Sequence, residues 1–267
     1  MIFAVPISDD NPTVHAPVIT LFLIGLCTGA FLWELDHDQR LISFIYGMIP
    51  AELFGLWRPR IHQALPPWAT IFTSMFLHGG WFHLIGNMVY LWIFGNNVED
   101  VLGRGRYLLL YLACGIAAAL AQAFANPASH IPMVGASGAI AGVLGAYLLL
   151  HPGANVRCFV WIVIFFRIVN VPAWAMLGLW FIMNLVSGLM AAPSKPGVAF
   201  WAHVGGFVSG LVLVMVLRPS GVAVLQPPRS QAFAVARPGA FPSYRGSRHG
   251  SVPQAGRRFI RSRSPWE

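Results

Sequence analysis

The sequence predicts an all-α polytopic membrane protein, a single bundle of six transmembrane helices, and three observations predict it. Hydrophobic residues make up 57% of the 267 and charged residues only 10%, too few to cover a water-soluble globule of this size. The mean hydropathy is +0.65. The apolar residues gather into six runs, 17–33, 81–98, 107–125, 131–150, 173–191 and 200–217, each long enough to serve as a membrane span.

Residues 1–16 carry Asp9, Asp10, Pro6 and Pro12 and are expected to form an unstructured N-terminal tail. No Lys or Arg precedes the first span and no small-residue cleavage pattern follows it, so it is expected to stay as an anchor and not to be removed. A long first loop, 34–80, mixes charges with Phe44, Tyr46, Phe54, Trp57 and Trp68, a composition suited to the membrane interface. Two shorter apolar pieces, 41–56 and 158–166, are interrupted by Pro50 and Glu52 or bounded by Arg157 and Arg167. Both read as interfacial and not spanning.

The second span opens with His78-Gly79-Gly80-Trp81-Phe82-His83 and ends at Gly95-Asn96-Asn97, where turn residues and charges mark the membrane exit. Ser137, boxed by Gly135, Ala136 and Gly138, lies in the fourth span. The sixth opens with Trp201-Ala202-His203. From Pro219 onward eight arginines face one acidic residue, Glu267, amid frequent Pro, Ser and Gly, so residues 218–267 are expected to form a disordered, basic cytoplasmic tail. A basic tail beside a membrane span is read as drawn to anionic lipid, and no nucleic-acid partner is expected.

In a six-span arrangement thirteen Lys and Arg fall on the side of that tail and four on the other, which predicts that both termini are inside. Cys27, Cys114 and Cys158 are widely spaced, so neither a disulfide framework nor a metal-ligand cluster is indicated, and no cofactor is expected.

The second, fourth and sixth spans then run in the same direction, and depth can be counted from their inner ends. Ser137 lies 13 residues before Leu150, His203 14 before Leu217 and His83 13 before Asn96. At ~1.5 Å per residue all three sit about 20 Å from the inner boundary, where an unpaired polar side chain is costly. Gly138, Gly142 and Ala146 make one small helical face, and Gly206 and Gly210 share a face with His203, so the two helices can approach backbone to backbone. Small stripes and buried serines are common glue between membrane helices, and Ser137 alone would carry no chemistry.

Beside His203 it does. A serine hydroxyl is a weak nucleophile until a base takes its proton, which assigns Ser137 as nucleophile and His203 as base. His83 and Asn87, one turn apart on one face, supply N–H donors for an oxyanion, with the Ser137 backbone N–H as a third. No carboxylate lies at this depth, so the expected unit is a dyad and not a triad.

At these residues the chain closely resembles the rhomboid family of intramembrane serine proteases, over about 17–217. The resemblance rests on His78-x4-His83-x3-Asn87, Gly135-x-Ser137-Gly138 and Ala202-His203-x2-Gly206-x3-Gly210. It implies a six-helix rhomboid-like bundle, a Ser137–His203 catalytic dyad, an oxyanion hole at His83 and Asn87, and hydrolysis of peptide bonds in or near transmembrane helices of membrane-protein substrates. Glu99-x3-Gly103 resembles the family's motif at the inner end of the second helix and implies a structural role. Two departures stand out: Trp68-Ala69 where many members have Trp-Arg, and Ala141 where some members pack an aromatic ring beside the catalytic histidine.

The expectation is a serine endopeptidase in the lipid bilayer, and the short loops favour a bacterial cytoplasmic membrane. The alternative is a non-catalytic relative that binds membrane-protein clients as a chaperone would.

Overall fold

The apolar runs become helices in a computed structural model that describes residues 2–58, 65–162, 165–191 and 197–227. Six long helices follow the six runs: α1 (Val18–Leu35), with α2 (Gln39–Tyr46), α3 (Pro50–Leu53) and α4 (Thr70–Thr73) in the first loop, then α5 (Trp81–Leu102), α6 (Arg104–Ala125), α7 (Ser137–Leu150), α8 (Ala173–Met190) and α9 (Phe200–Leu217). Four of them, α1, α6, α8 and α9, are long and apolar enough to cross a membrane. The other two differ for visible reasons. Helix α5 spends residues on Asn87, Asn96, Asn97, Glu99 and Asp100, and α7 has only 14 residues, about 21 Å of rise.

The fourth apolar run begins at 131, but its helix begins at Ser137, because Pro132 precedes an extended stretch in which Met133 exchanges backbone hydrogen bonds with Met48, and Gly135 takes φ +126. Gly135 donates its N–H to the Ser74 carbonyl, which ties the start of α7 to the first loop.

An all-α architecture is corrected by a three-stranded antiparallel sheet in the order β1-β2-β3, with β1 Ile2–Asp9, β2 Asn155–Ile162 and β3 Phe165–Pro172. The N-terminal segment expected to be unstructured is thus a strand through Asp9, and the apolar piece 158–166 lies in β2 and β3. Val156 and Cys158 of β2 are buried in the main core with Ala173 and Leu177 of α8. This face gives the strands an apolar surface to cover, and its partner across the pair is more than 140 residues away in sequence. From residue 228 onward the expected basic tail lies outside the described residues. Residues 219–227 instead fold back, and the N–H groups of Leu225 and Gln226 donate to the carbonyls of Leu149 and Leu150 at the end of α7.

Polar side chains at the end of the bundle where α1 begins complete the helix termini. Pro17 gives α1 no side-chain cap, and Glu99 of α5 takes its place by accepting from the N–H groups of Ile19 (2.9 Å) and Thr20 (2.8 Å) and from the Thr20 hydroxyl (2.8 Å). Gly103, at φ +75, is the single residue between α5 and α6.

Asp9 fastens β1 beneath the bundle: its carboxylate accepts from Tyr147 Oη (2.7 Å) and Asn97 Nδ2 (2.8 Å). Burial pushes the Asp9 carboxyl up to about 6, the Tyr147 bond opposes this, and the neighbouring Asp10 carboxylate adds to it. A carboxyl whose value is raised on docking binds a proton more tightly docked than free. Docking is therefore strongest below about 4 and weakens as pH rises to about 6. Hydrogen exchange of amides 2–9, corrected for intrinsic rates, is expected to accelerate on the order of 10-fold between pH 4 and 7, a dependence that Asp9→Asn removes.

Candidate active site

Ser137 is the first residue of α7, so its backbone N–H has no acceptor within the helix and the short, buried α7 presents its N-terminus inside the bundle. His203 lies in the first turn of α9. What brings them together is the pair of small faces. A Cβ on Gly206 would stand 2.0 Å from the Gly138 carbonyl oxygen, and one on Gly210 1.9 Å from that of Gly142. The helices touch along their backbones, and Ser137 Oγ reaches His203 Nε2 at 2.8 Å.

Asn184 of α8 fixes the other side of the imidazole. Its Oδ1 lies 2.7 Å from His203 Nδ1, while its Nδ2 donates to the Trp180 carbonyl at 2.8 Å. With the amide N–H committed to that carbonyl, the oxygen faces His203, so Nδ1 is the protonated nitrogen and Nε2 accepts from the Ser137 hydroxyl. The Trp180 ring leans on His203 at 5.5 Å between centroids. Ala141 is buried against α9, near Gly206, and α8 supplies the ring in place of α7.

His83 and Asn87 line the same cavity of about 890 Å³ as Phe82, Ser137, Trp180 and His203. The Gly79 N–H donates to His83 Nδ1 at 3.4 Å, which leaves the proton on Nε2. That atom lies close to Gly135, where a Cβ would be 2.7 Å from it and 3.7 Å from Ser137 Oγ. Glycine at 135 therefore lets the His83 ring come up beside the serine. Asn87 is buried, and its Nδ2 has no hydrogen-bond partner among the described residues. A donor left open at the cavity wall is available to an oxygen that arrives with a ligand.

His78 stands apart. It is fully buried, its Nδ1 bonds the Phe76 carbonyl at 3.2 Å, its backbone N–H donates to the Glu34 carboxylate, and its ring meets His83 edge-on at 5.2 Å. It supports the His83 ring from behind. Among the described residues no group of three or more His, Cys, Asp or Glu is arranged to hold a metal ion.

Four of the sequence-derived residues, Ser137, His203, His83 and Asn87, thus share one cavity. Sequence reasoning missed Asn184 and Trp180. The signal for Asn184 is an amide side chain inside the fifth apolar run, where its cost calls for a partner.

The chain matches the Rhomboid domain model over residues 66–220. Curated relatives include the mitochondrial Rhomboid protein 1 of Saccharomyces cerevisiae, 31% identical over 57% of this chain and 51% of that protein. The putative rhomboid protease YdcA of Bacillus subtilis is 32% identical over 50% of this chain and 62% of its own length. Rhomboid protease GluP, also of Bacillus subtilis, is 46% identical over 30% of this chain and 15% of its own length. In each case the chain spans less than two thirds of the relative's length.

Proposed function

The chain belongs to the rhomboid family, and on that premise we propose that it is an intramembrane serine endopeptidase that hydrolyses peptide bonds in or near the transmembrane segments of membrane-protein substrates. The observation that carries the reading is the 2.8 Å contact between Ser137 Oγ and His203 Nε2 inside a membrane bundle.

Ser137 Oγ attacks the scissile carbonyl carbon as its proton passes to His203 Nε2. The carbonyl oxygen becomes an oxyanion, which the Ser137 N–H, His83 Nε2–H and Asn87 Nδ2–H are disposed to receive. Collapse of this intermediate breaks the carbon–nitrogen bond, His203 returns the proton to the leaving amine, and the acyl group stays on Oγ. A water then loses a proton to Nε2 and attacks the ester. When the ester bond breaks, Oγ regains its proton from His203. A peptide bond in a helix is shielded by its own turn, so residues that weaken the substrate helix favour cleavage.

The distribution of basic residues supports an orientation with both termini in the cytoplasm, and the short loops favour a bacterial cytoplasmic membrane.

Purified protein in liposomes, incubated with a single-span substrate and followed by mass spectrometry of the products, tests the reading. Cleavage by the wild type that survives a chelator and is lost in His203→Ala supports it. Substrate retained but uncut by the wild type, across several substrates, would favour the client-holding alternative. His83→Ala and Asn87→Ala are each expected to lower kcat about 100-fold with KM changed by no more than a few-fold, the signature of donors used in the transition state.

A further inference from the structure

We infer that Asn184 is a positioning residue that locks the His203 imidazole in the tautomer able to accept the Ser137 proton. The inference rests on the protease reading and adds a third side chain to the pair that the sequence implies.

An imidazole with its proton on Nε2 could not accept from Ser137 Oγ, so the base needs the proton on Nδ1 and an acceptor to keep it there. Among the described residues the atom at Nδ1 is Asn184 Oδ1, at 2.7 Å. The amide cannot rotate by half a turn without loss, because its Nδ2 is held by the Trp180 carbonyl one turn earlier in α8, at 2.8 Å. Asn184 is itself buried, so exchanging either bond for water is costly.

Trp180 and Asn184 stand at i and i+4 on α8. One helix therefore supplies both the acceptor at the edge of the imidazole and the ring packed near it. His203 is held from α9 by its own backbone and from α8 by these two groups. In serine hydrolases a carboxylate commonly occupies the place of Asn184. A neutral amide performs the orienting part of that task without placing a net charge among the apolar helices, where it would be costly.

Three variants, Asn184→Leu, Asn184→Ala and Asn184→Asp, test the assignment in purified full-length protein. Leu matches the size but has no acceptor, and Asp keeps an oxygen where Oδ1 stands. Each is measured in three ways: the second-order rate at which a fluorophosphonate probe labels Ser137, kcat and KM on a single-span substrate, and the thermal midpoint in detergent. Expected for Asn184→Leu is a loss of about 10- to 100-fold in labelling rate and in kcat, with KM within a few-fold of the wild type. Asn184→Asp is expected to recover most of the labelling. If Asn184→Leu does not fold, Asn184→Ala carries the same expectation.

Labelling of the folded Leu or Ala variant at the wild-type rate overturns the inference, as does a loss confined to KM. Failure of the probe to label the wild type at all overturns the protease reading beneath it, so the two failures are distinct.

Discussion

Ser137→Ala is expected to abolish cleavage of a single-span substrate, a loss of about 10⁴-fold or more, while the protein keeps its thermal midpoint and still retains substrate. Removing one oxygen from the first residue of α7 leaves the small faces of α7 and α9 untouched, so there is no structural reason for the bundle to loosen. What disappears is the hydroxyl oxygen that sits 2.8 Å from His203 Nε2 and that the proposed mechanism uses to attack the carbonyl.

In the proposed mechanism the two side chains act as one unit, so His203→Ala should cost nearly as much. The double variant should be little worse than either single one. Additive losses in that cycle would mean that the two residues serve separate roles, and residual cleavage by Ser137→Ala near the wild-type rate would sink the mechanism. His83→Ala and Asn87→Ala should have smaller, graded effects, because in the proposed mechanism each side chain is one of several donors to the same oxygen.

The residues differ in how plainly the sequence announces them, and the reason is the range of the interaction that fixes each one. The six long helices stand within a few residues of their apolar runs, apart from α7, because length and apolarity are local properties. Ser137, His203 and His83 could be set level by counting along helices, and the glycines beside two of them foretold which faces meet.

Local pattern fails where partners are distant. Asp9 pairs with Tyr147 and Asn97, and β1 pairs with β2, contacts that no window along the chain contains. Within the fourth run hydropathy does not mark where α7 begins; the small residues around Ser137 do, and the backbone demands of Pro132 and Gly135 keep 131–136 out of the helix. Asn184 was overlooked because its meaning depends on which face of α8 meets α9, and nothing in the spacing within α8 states that. Its discovery also answers the departure at Ala141: the histidine is supported, but from a different helix.

Gly206→Ala is expected to lower stability by about 3 kcal/mol or more and to cut fluorophosphonate labelling of Ser137 at least 10-fold, the reverse of what helix propensity alone dictates. In an isolated helix Ala is better than Gly by about 1 kcal/mol, so a glycine without a packing role should be improved by the change. At 206 the new Cβ would lie 2.0 Å from the carbonyl oxygen of Gly138 and 3.0 Å from its carbon, both backbone atoms with no rotamer to escape into. The helices must separate, and Gly138 directly follows Ser137, so the separation is felt first at the 2.8 Å contact with His203. Gly25→Ala in α1 is the control, since a Cβ there meets nothing within 4 Å. A thermal midpoint that falls for Gly206→Ala but holds or rises for Gly25→Ala would tie the alignment of serine and histidine to the close backbone approach of α7 and α9. Equal midpoints and undiminished labelling would instead mean that the two helices can part by an ångström or more without disturbing Ser137 and His203, and the alignment would have to come from α8.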